Sequence, residues 1–285
     1  MKVLQTLRPQ CFHLPRSAPS MMISLAGKTA LITGGSRGIG LAIAHRLAHE
    51  GASCFLVARN ADTLTTACSK LPHRTGAAAP IRPHAFFAGE AGEPGTWDAI
   101  GRRLSAEGLE VDVLVNAAGV SQNSLLARTS PSDIASILDT NLRAAVLACR
   151  LVSKQMMRRP AEARRDCSII NVSSVMAARG GTGASVYAAS KAGLLGLTSA
   201  LSQELGRFQI RVNALVPGYI QTQMIQNLNE SKLSSQIPLG RVGRTDEVAD
   251  AAFFLATNSY ANNCILNIDG GLSAADQGLV SRGNS

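Results

Sequence analysis

The chain is short of aromatic residues, at 4% of its 285 positions, and has no acidic residue before Glu50. It also lacks any CxxC pair. Its six cysteines, at positions 11, 54, 68, 149, 167 and 264, are scattered, and no histidine stands at zinc-ligand spacing from them. That excludes a sequence-encoded metal knuckle and argues against a disulfide-stapled secreted domain. Isolated cysteines inside apolar segments read as small buried hydrophobes of a reducing compartment. No apolar run approaches the ~20 residues a membrane-spanning helix needs, so no membrane span is expected. Basic stretches interleaved with aromatics are missing too, so nucleic acid is not expected as a partner despite a formal net charge of +9. An acidic protein partner or a targeting leader accounts for such an excess.

What is present is a 46% hydrophobic chain with 26 glycines, enough for one large core threaded by many tight turns. Residues 1–22 carry Lys2, Arg8 and Arg16 with leucines between them and Ser and Pro following. An acid-free, Arg-bearing leader of this kind resembles a mitochondrial presequence and lacks the continuous apolar core of a secretory signal. Two alternatives stand beside it: a disordered tail, or translation starting at Met21 or Met22, which would leave a cytoplasmic protein. The folded domain is expected over 23–272, with a loose tail over 273–285.

The segment 25–33 reads as a short buried strand. It runs into Gly34-Gly-Ser36-Arg37-Gly38-Ile39-Gly40 and then an apolar-periodic helix to about Glu50. Missing side chains let the backbone approach a pyrophosphate, and the helix N-terminus supplies free N–H groups. The spacing TGxxxGIG therefore predicts a dinucleotide site. The next strand, 53–57, ends in Ala58-Arg59 where an acidic residue would bind a ribose 2′-hydroxyl and repel a 2′-phosphate. With Arg37 and Arg59 nearby and no carboxylate, NADPH is expected over NADH. Further strands are predicted at 84–88, 111–115, 168–173, 210–216 and 264–268, with helices at 132–157 and 245–258.

Tyr187 and Lys191 stand four residues apart in SVYAASKAG. On a helix that spacing puts both side chains on one face. An ammonium beside a phenol favours the phenolate and lowers the tyrosine pKa, one way for a neutral-pH site to obtain a tyrosine acid/base. Ser174, thirteen residues before Tyr187, closes an apolar strand.

The glycine turn, Asn116-Ala117-Ala-Gly119, Asn141 in a TNL context, Ser174, Tyr187, Lys191 and Pro217-Gly218-Tyr-Ile220-Gln-Thr222 together resemble the short-chain dehydrogenase/reductase family over roughly residues 25–272. The resemblance implies a single doubly wound α/β Rossmann domain with a parallel seven-stranded sheet, order 3-2-1-4-5-6-7. It implies catalytic roles for Asn141, Ser174, Tyr187 and Lys191, with Asn141 holding a water behind the lysine. Cofactor contacts are implied for Gly34, Ser36, Arg37, Gly38, Ile39, Gly40, Arg59, Asn116, Ala117, Gly119, Tyr187, Lys191, Pro217, Gly218, Ile220 and Thr222. Asn116 is divided between a structural and a cofactor-adjacent role. Family members carry Asp after the third strand against adenine; here Gly89-Glu90 follows, so either Glu90 takes that contact or it is absent. Residues 223–236 resemble a substrate lid, and a homotetramer is implied.

Within the family the TGGSRGIG, VYAASKAG and IPLGRVG motifs resemble the 3-oxoacyl-[acyl-carrier-protein] reductases most. That implies an acyl carrier protein thioester as substrate and partner in type II fatty acid synthesis. Arg158, Arg159, Arg164, Arg165 and Arg207 are candidates for a basic rim steering an acidic carrier to the mouth. Two alternatives remain: another ketone or alcohol (steroid, polyol, quinone), or a non-catalytic cofactor-binding subunit.

Overall fold

A computed structural model describes residues 24–73, 82–164 and 167–275. The leader, and the tail from residue 276, lie outside that range. Seven strands form one parallel sheet: β1 Thr29–Thr33, β2 Ser53–Ala58, β3 Ala85–Ala88, β4 Val113–Asn116, β5 Ser168–Val172, β6 Arg211–Pro217 and β7 Ile265–Ile268. Their order is β3-β2-β1-β4-β5-β6-β7, as expected. Helices α1 Gly38–His49, α2 Ala61–Ser69, α3 Pro94–Ala106, α4 Pro131–Leu138, α5 Ala144–Met157, α6 Ala161–Arg164, α7 Met176–Arg179, α8 Ser185–Gly206, α9 Glu230–Ser234 and α10 Thr245–Thr257 complete the chain.

Because both faces of the sheet are covered, the central strands are apolar without a polar face. β1 (TALIT) is buried throughout. Alternate residues feed opposite cores. Ile32, Val115 and Ile170 join the layer of α1 and α10 through Ile43, Leu47, Val248 and Leu255. Leu31, Leu114 and Ile169 join the layer of α3 and α5 through Trp97, Ile100, Val152 and Met156.

The single helix expected at 132–157 is instead two, joined by a π turn at Asp139–Arg143 that contains Asn141. Such turns interrupt the i→i+4 ladder and recur at functional sites. The strand order reverses between β1 and β4. A crevice therefore opens at their C-terminal ends, where open α/β sheets bind ligands.

Among the described residues the expected arginines form no rim at the crevice. Arg159 is 5% exposed; its guanidinium donates to Asp112 Oδ1 at 2.9 Å and to the Val111 carbonyl at 2.7 Å. Asp112 Oδ2 in turn accepts from the Thr29 amide at 2.7 Å. Arg159 is thus a structural cation below the sheet. Arg158 and Arg164 precede the start of β5, and Arg207 follows the end of α8 just before β6 begins. They stand at the edge opposite the crevice, one strand length (~17 Å) away. Arg165 lies outside the described residues.

Arg159→Ala would leave Asp112 with Lys28, 3.9 Å away, as its remaining cation. We expect a loss of about 3 kcal/mol in denaturant unfolding, the low end for breaking a buried pair, with turnover unchanged at 25 °C. An unchanged unfolding midpoint would contradict the assignment.

Candidate active site

The glycine turn is built for close backbone approach. A Cβ at Gly40 would lie 2.4 Å from the Gly34 carbonyl oxygen, and one at Gly34 would lie 2.8 Å from that of Ala117. Gly34 (φ +68) and Gly38 (φ +56) adopt left-handed backbone that other residues resist. α1 begins with Arg37 as N-cap, without a side-chain cap and without an acid in its first turn. Its first N–H groups and dipole face the crevice unopposed, and Ser36 and Ile39 sit half-buried beside them. Thr33 Oγ1 accepts from the amides of Ala117 and Ala118 at 3.1 and 3.2 Å, fastening the turn to the end of β4. These features fit a bound pyrophosphate.

The Asn116 side chain does not enter the crevice. It is buried in the sheet, donating to Asn171 Oδ1 at 2.8 Å, and Asn171 donates on to Thr198 at 2.9 Å. Of its two expected roles it fills the structural one. Gly119 forms the floor: a Cβ there would meet Lys191 Nζ at 3.4 Å and Asn141 Oδ1 at 3.5 Å.

α8 carries Tyr187 and Lys191 one turn apart, as the spacing required. Lys191 is 4% exposed, and Nζ donates to the Val172 carbonyl at 2.9 Å. Burial pushes its pKa down to about 8. The ammonium lies 5.8 Å from the Tyr187 ring centroid. The expected lowering of the phenol by this lysine does not emerge. Burial pushes Tyr187 above the ordinary tyrosine value, and the opposing pull comes from a hydrogen bond with the Ser174 side chain. What pulls the phenol back is Ser174 and not the lysine, whose ammonium is committed to the Val172 carbonyl. Ser173 turns away from the crevice, its hydroxyl donating to the Lys191 carbonyl at 2.7 Å.

Asn141 is 1% exposed and its amide is fully engaged. Oδ1 accepts from the Val120 amide at 2.8 Å; Nδ2 donates to the Val120 carbonyl and to Ser190 Oγ, both at 3.0 Å. The side chain braces the loop after β4 against α8, leaving the main chain of the π turn as the group Asn141 can offer to a water.

Beyond β6, Pro217 accepts from the Val175 amide at 3.0 Å and Gly218 donates to Ile268 at 3.0 Å. A Cβ on Gly218 would lie 2.9 Å from Asp269. Ile220 is 3% exposed and bridges to Gly243. Thr222 packs over Gly38, its methyl 3.5 Å from where a Cβ would stand. The β6 end thus overhangs the glycine turn. Residues 223–236, the expected lid, contain a 3-10 turn, Gln223–Ile225, and α9.

At the adenosine corner Arg59 faces Glu90 at 4.0 Å, both exposed at the ends of β2 and β3. Arg37 donates to Gln223 at 2.9 Å. Glu90 therefore serves as a counter-ion for Arg59. Sequence reasoning missed two positions: Thr33, the fastener beneath the turn, and Gln122, which contacts the start of α8 from 65 residues away.

A sheet with this strand order, a glycine turn at its reversal point and a Ser-Tyr-Lys cluster beside it define a nucleotide-dependent oxidoreductase. The chain belongs to the short-chain dehydrogenases: residues 28–233 match the family model described as short chain dehydrogenase. It is 39% identical to the 3-oxoacyl-[acyl-carrier-protein] reductase of Bos taurus over 86% of this chain and 98% of that one. It is 37% identical to the reductases of that name from Homo sapiens, with the same two coverages, and Chlamydia trachomatis, over 87% of this chain and 98% of that one. The solved gluconate 5-dehydrogenase from Burkholderia cenocepacia, in complex with NADP and tartrate, superposes with a TM-score of 0.79 at 30% identity, covering 89% of this chain and 98% of that one. The family binds a nicotinamide cofactor, which the glycine cradle fits. Among the described residues no helix is long and apolar enough to cross a membrane.

Gly40→Ala should weaken dinucleotide binding at least tenfold in a fluorescence titration, because the methyl meets backbone rather than a flexible side chain. Unchanged affinity would mean the turn is not the cradle.

Proposed function

We propose that the chain reduces a 3-oxoacyl thioester, carried on an acyl carrier protein, to the 3-hydroxyacyl thioester with NADPH, in type II fatty acid synthesis. The reaction is supported by Tyr187, Ser174 and Lys191 at the strand reversal. The substrate is supported by 37–39% identity to reductases of that name over nearly their whole length. The acid-free leader supports a mitochondrial matrix location, and the family resemblance a homotetramer.

When bound, the reduced nicotinamide supplies hydride to the carbonyl carbon. Tyr187 donates its proton to the carbonyl oxygen as negative charge develops there. Burial keeps the phenol protonated but makes it a weaker acid, and the hydrogen bond with Ser174 is what pulls its pKa back down. The Ser174 hydroxyl donates to the same oxygen, a fixed donor for a developing charge. Lys191 Nζ stabilises the phenolate left behind, and the main chain at Asn141 carries the proton path outward. The mouth beside Tyr187 is edged by a loop with exposed Leu125, Leu126 and Arg128, an apolar and cationic rim suited to an acidic carrier.

The preference for NADPH rests on Arg37 and Arg59 with no carboxylate at Ala58. Arg59 carries Glu90 as counter-ion, which a 2′-phosphate would displace; exposed pairs of this kind are worth only about 0–1 kcal/mol.

Tyr187→Phe should lower nucleotide-dependent reduction of acetoacetyl thioester by ~10²–10⁴-fold with nucleotide binding intact. Retained turnover would overturn the assignment of the acid. Parallel assays with a steroid ketone and a quinone under the same conditions, and with gluconate and oxidised nucleotide, test the substrate class; faster turnover of any of these than of the thioester would replace it.

Arg59→Asp should shift nucleotide preference from NADPH toward NADH by at least tenfold in the ratio of kcat/KM values. An unmoved ratio would remove Arg59 from phosphate recognition.

A further inference from the structure

α8 begins without a cap of its own. Its N-cap residue, Ala184, has no side-chain acceptor to offer, and Tyr187 stands in the first turn, where backbone N–H groups lack intrahelical partners. Those groups are satisfied from elsewhere. Gln122 Oε1 accepts from the Val186 amide at 2.7 Å and from the Tyr187 amide at 3.1 Å. These are the second and third residues of the helix, the N–H groups that an N-cap side chain takes in other helices.

The other end of the same carboxamide is also committed. Gln122 Nε2 donates to the Ser124 carbonyl at 3.0 Å and to Thr129 Oγ1 at 3.1 Å. The orientation of the amide follows from its partners, with two N–H donors on one side and two oxygens on the other. Ser124 then ties back to the helix approach, its amide donating to Gly183 at 3.2 Å. Thr129 is buried and holds the Ser124 hydroxyl at 2.8 Å. One side chain therefore fastens both the helix that presents the phenol and the loop that edges the mouth.

We propose that Gln122 is a positioning residue for the reaction: it caps the catalytic helix from outside the helix, fixing Tyr187 against the crevice and joining that helix start to the mouth loop. It touches no reacting atom; it acts through the backbone of Tyr187. Its value follows from geometry. A helix whose first turn is uncapped frays there, and Tyr187 lies in the turn that would fray. A displacement of about 1 Å at a catalytic group costs on the order of 10²-fold in rate. The rest of α8 is held by its own ladder and by Lys191 against β5, so loss of the cap strikes the phenol and spares the lysine.

The inference rests on Tyr187 being the proton donor, and the test separates the two. Gln122→Ala should lower kcat about tenfold with KM for the reduced nucleotide within twofold. Hydrogen exchange at the Val186 and Tyr187 amides should quicken at least tenfold while exchange in the middle of α8 is unchanged. Gln122→Glu keeps an acceptor for both N–H groups but sets an oxygen against the Ser124 carbonyl, so amide protection should return in part and kcat should lie between those of Gln122→Ala and the parent. Wild-type kcat in Gln122→Ala, or a Gln122→Glu no better than Gln122→Ala, would overturn the proposal. Should Gln122→Ala fail to fold, Gln122→Met, which keeps length and bulk without an acceptor, gives the same reading. Tyr187→Phe is assayed alongside. Turnover retained there sinks the acid itself, whereas turnover lost there with wild-type kcat in Gln122→Ala sinks Gln122 alone.

Discussion

Two hydrogen bonds between the end of β5 and a single residue of α8 hold the site together. Lys191 Nζ donates to the Val172 carbonyl, and the Lys191 carbonyl accepts from the Ser173 hydroxyl. The first bond buries an ammonium at the floor of the crevice; the second sets the height of the helix above the strand. Ser174, next along the chain, is thereby brought to Tyr187 one turn up the helix. Gly119 lies against the arrangement, close enough that a Cβ there would sit in ordinary contact with Lys191 and Asn141.

That clamp changes how the acid–base chemistry is understood. A lysine in water beside a tyrosine would promote the phenolate. Here the lysine is dehydrated and loses part of its own hold on a proton, and the phenol is buried as well. Both shifts have one cause, removal from water, and both favour the neutral group. The pair as it stands is a protonated phenol over a buried lysine that is still largely charged at neutral pH, placed to stabilise the phenolate once the proton has left. The π turn at Asn141 belongs to the same design: with the side chain spent on bracing the loop after β4 to α8, the irregular backbone is what remains for solvent.

Much of this was legible in the sequence because it is local. Glycine spacing, a Tyr and Lys four residues apart and a serine closing an apolar strand each reflect the period of one element, and the strand order followed from the family those motifs resemble. What was not legible depends on distant parts of the chain meeting. Arg159 looked like one of several surface arginines until Asp112, 47 residues away, was seen to neutralise it below the sheet. Glu90 could be placed only as a residue after a strand, and the register of β2 with β3 sets it against Arg59. The π turn has no periodicity that separates it from an α-helix, and Gln122 lies in a loop whose composition carries no signal.

The central claim is that the Lys191 ammonium is held out of water beneath Tyr187. Its titration can be followed directly by NMR of protein labelled at lysine side chains, with the resonance assigned by its loss in Lys191→Met. A midpoint near pH 8 is predicted; a midpoint at the ordinary lysine value of 10.5 would mean that Lys191 is solvated and that the clamp described here does not form.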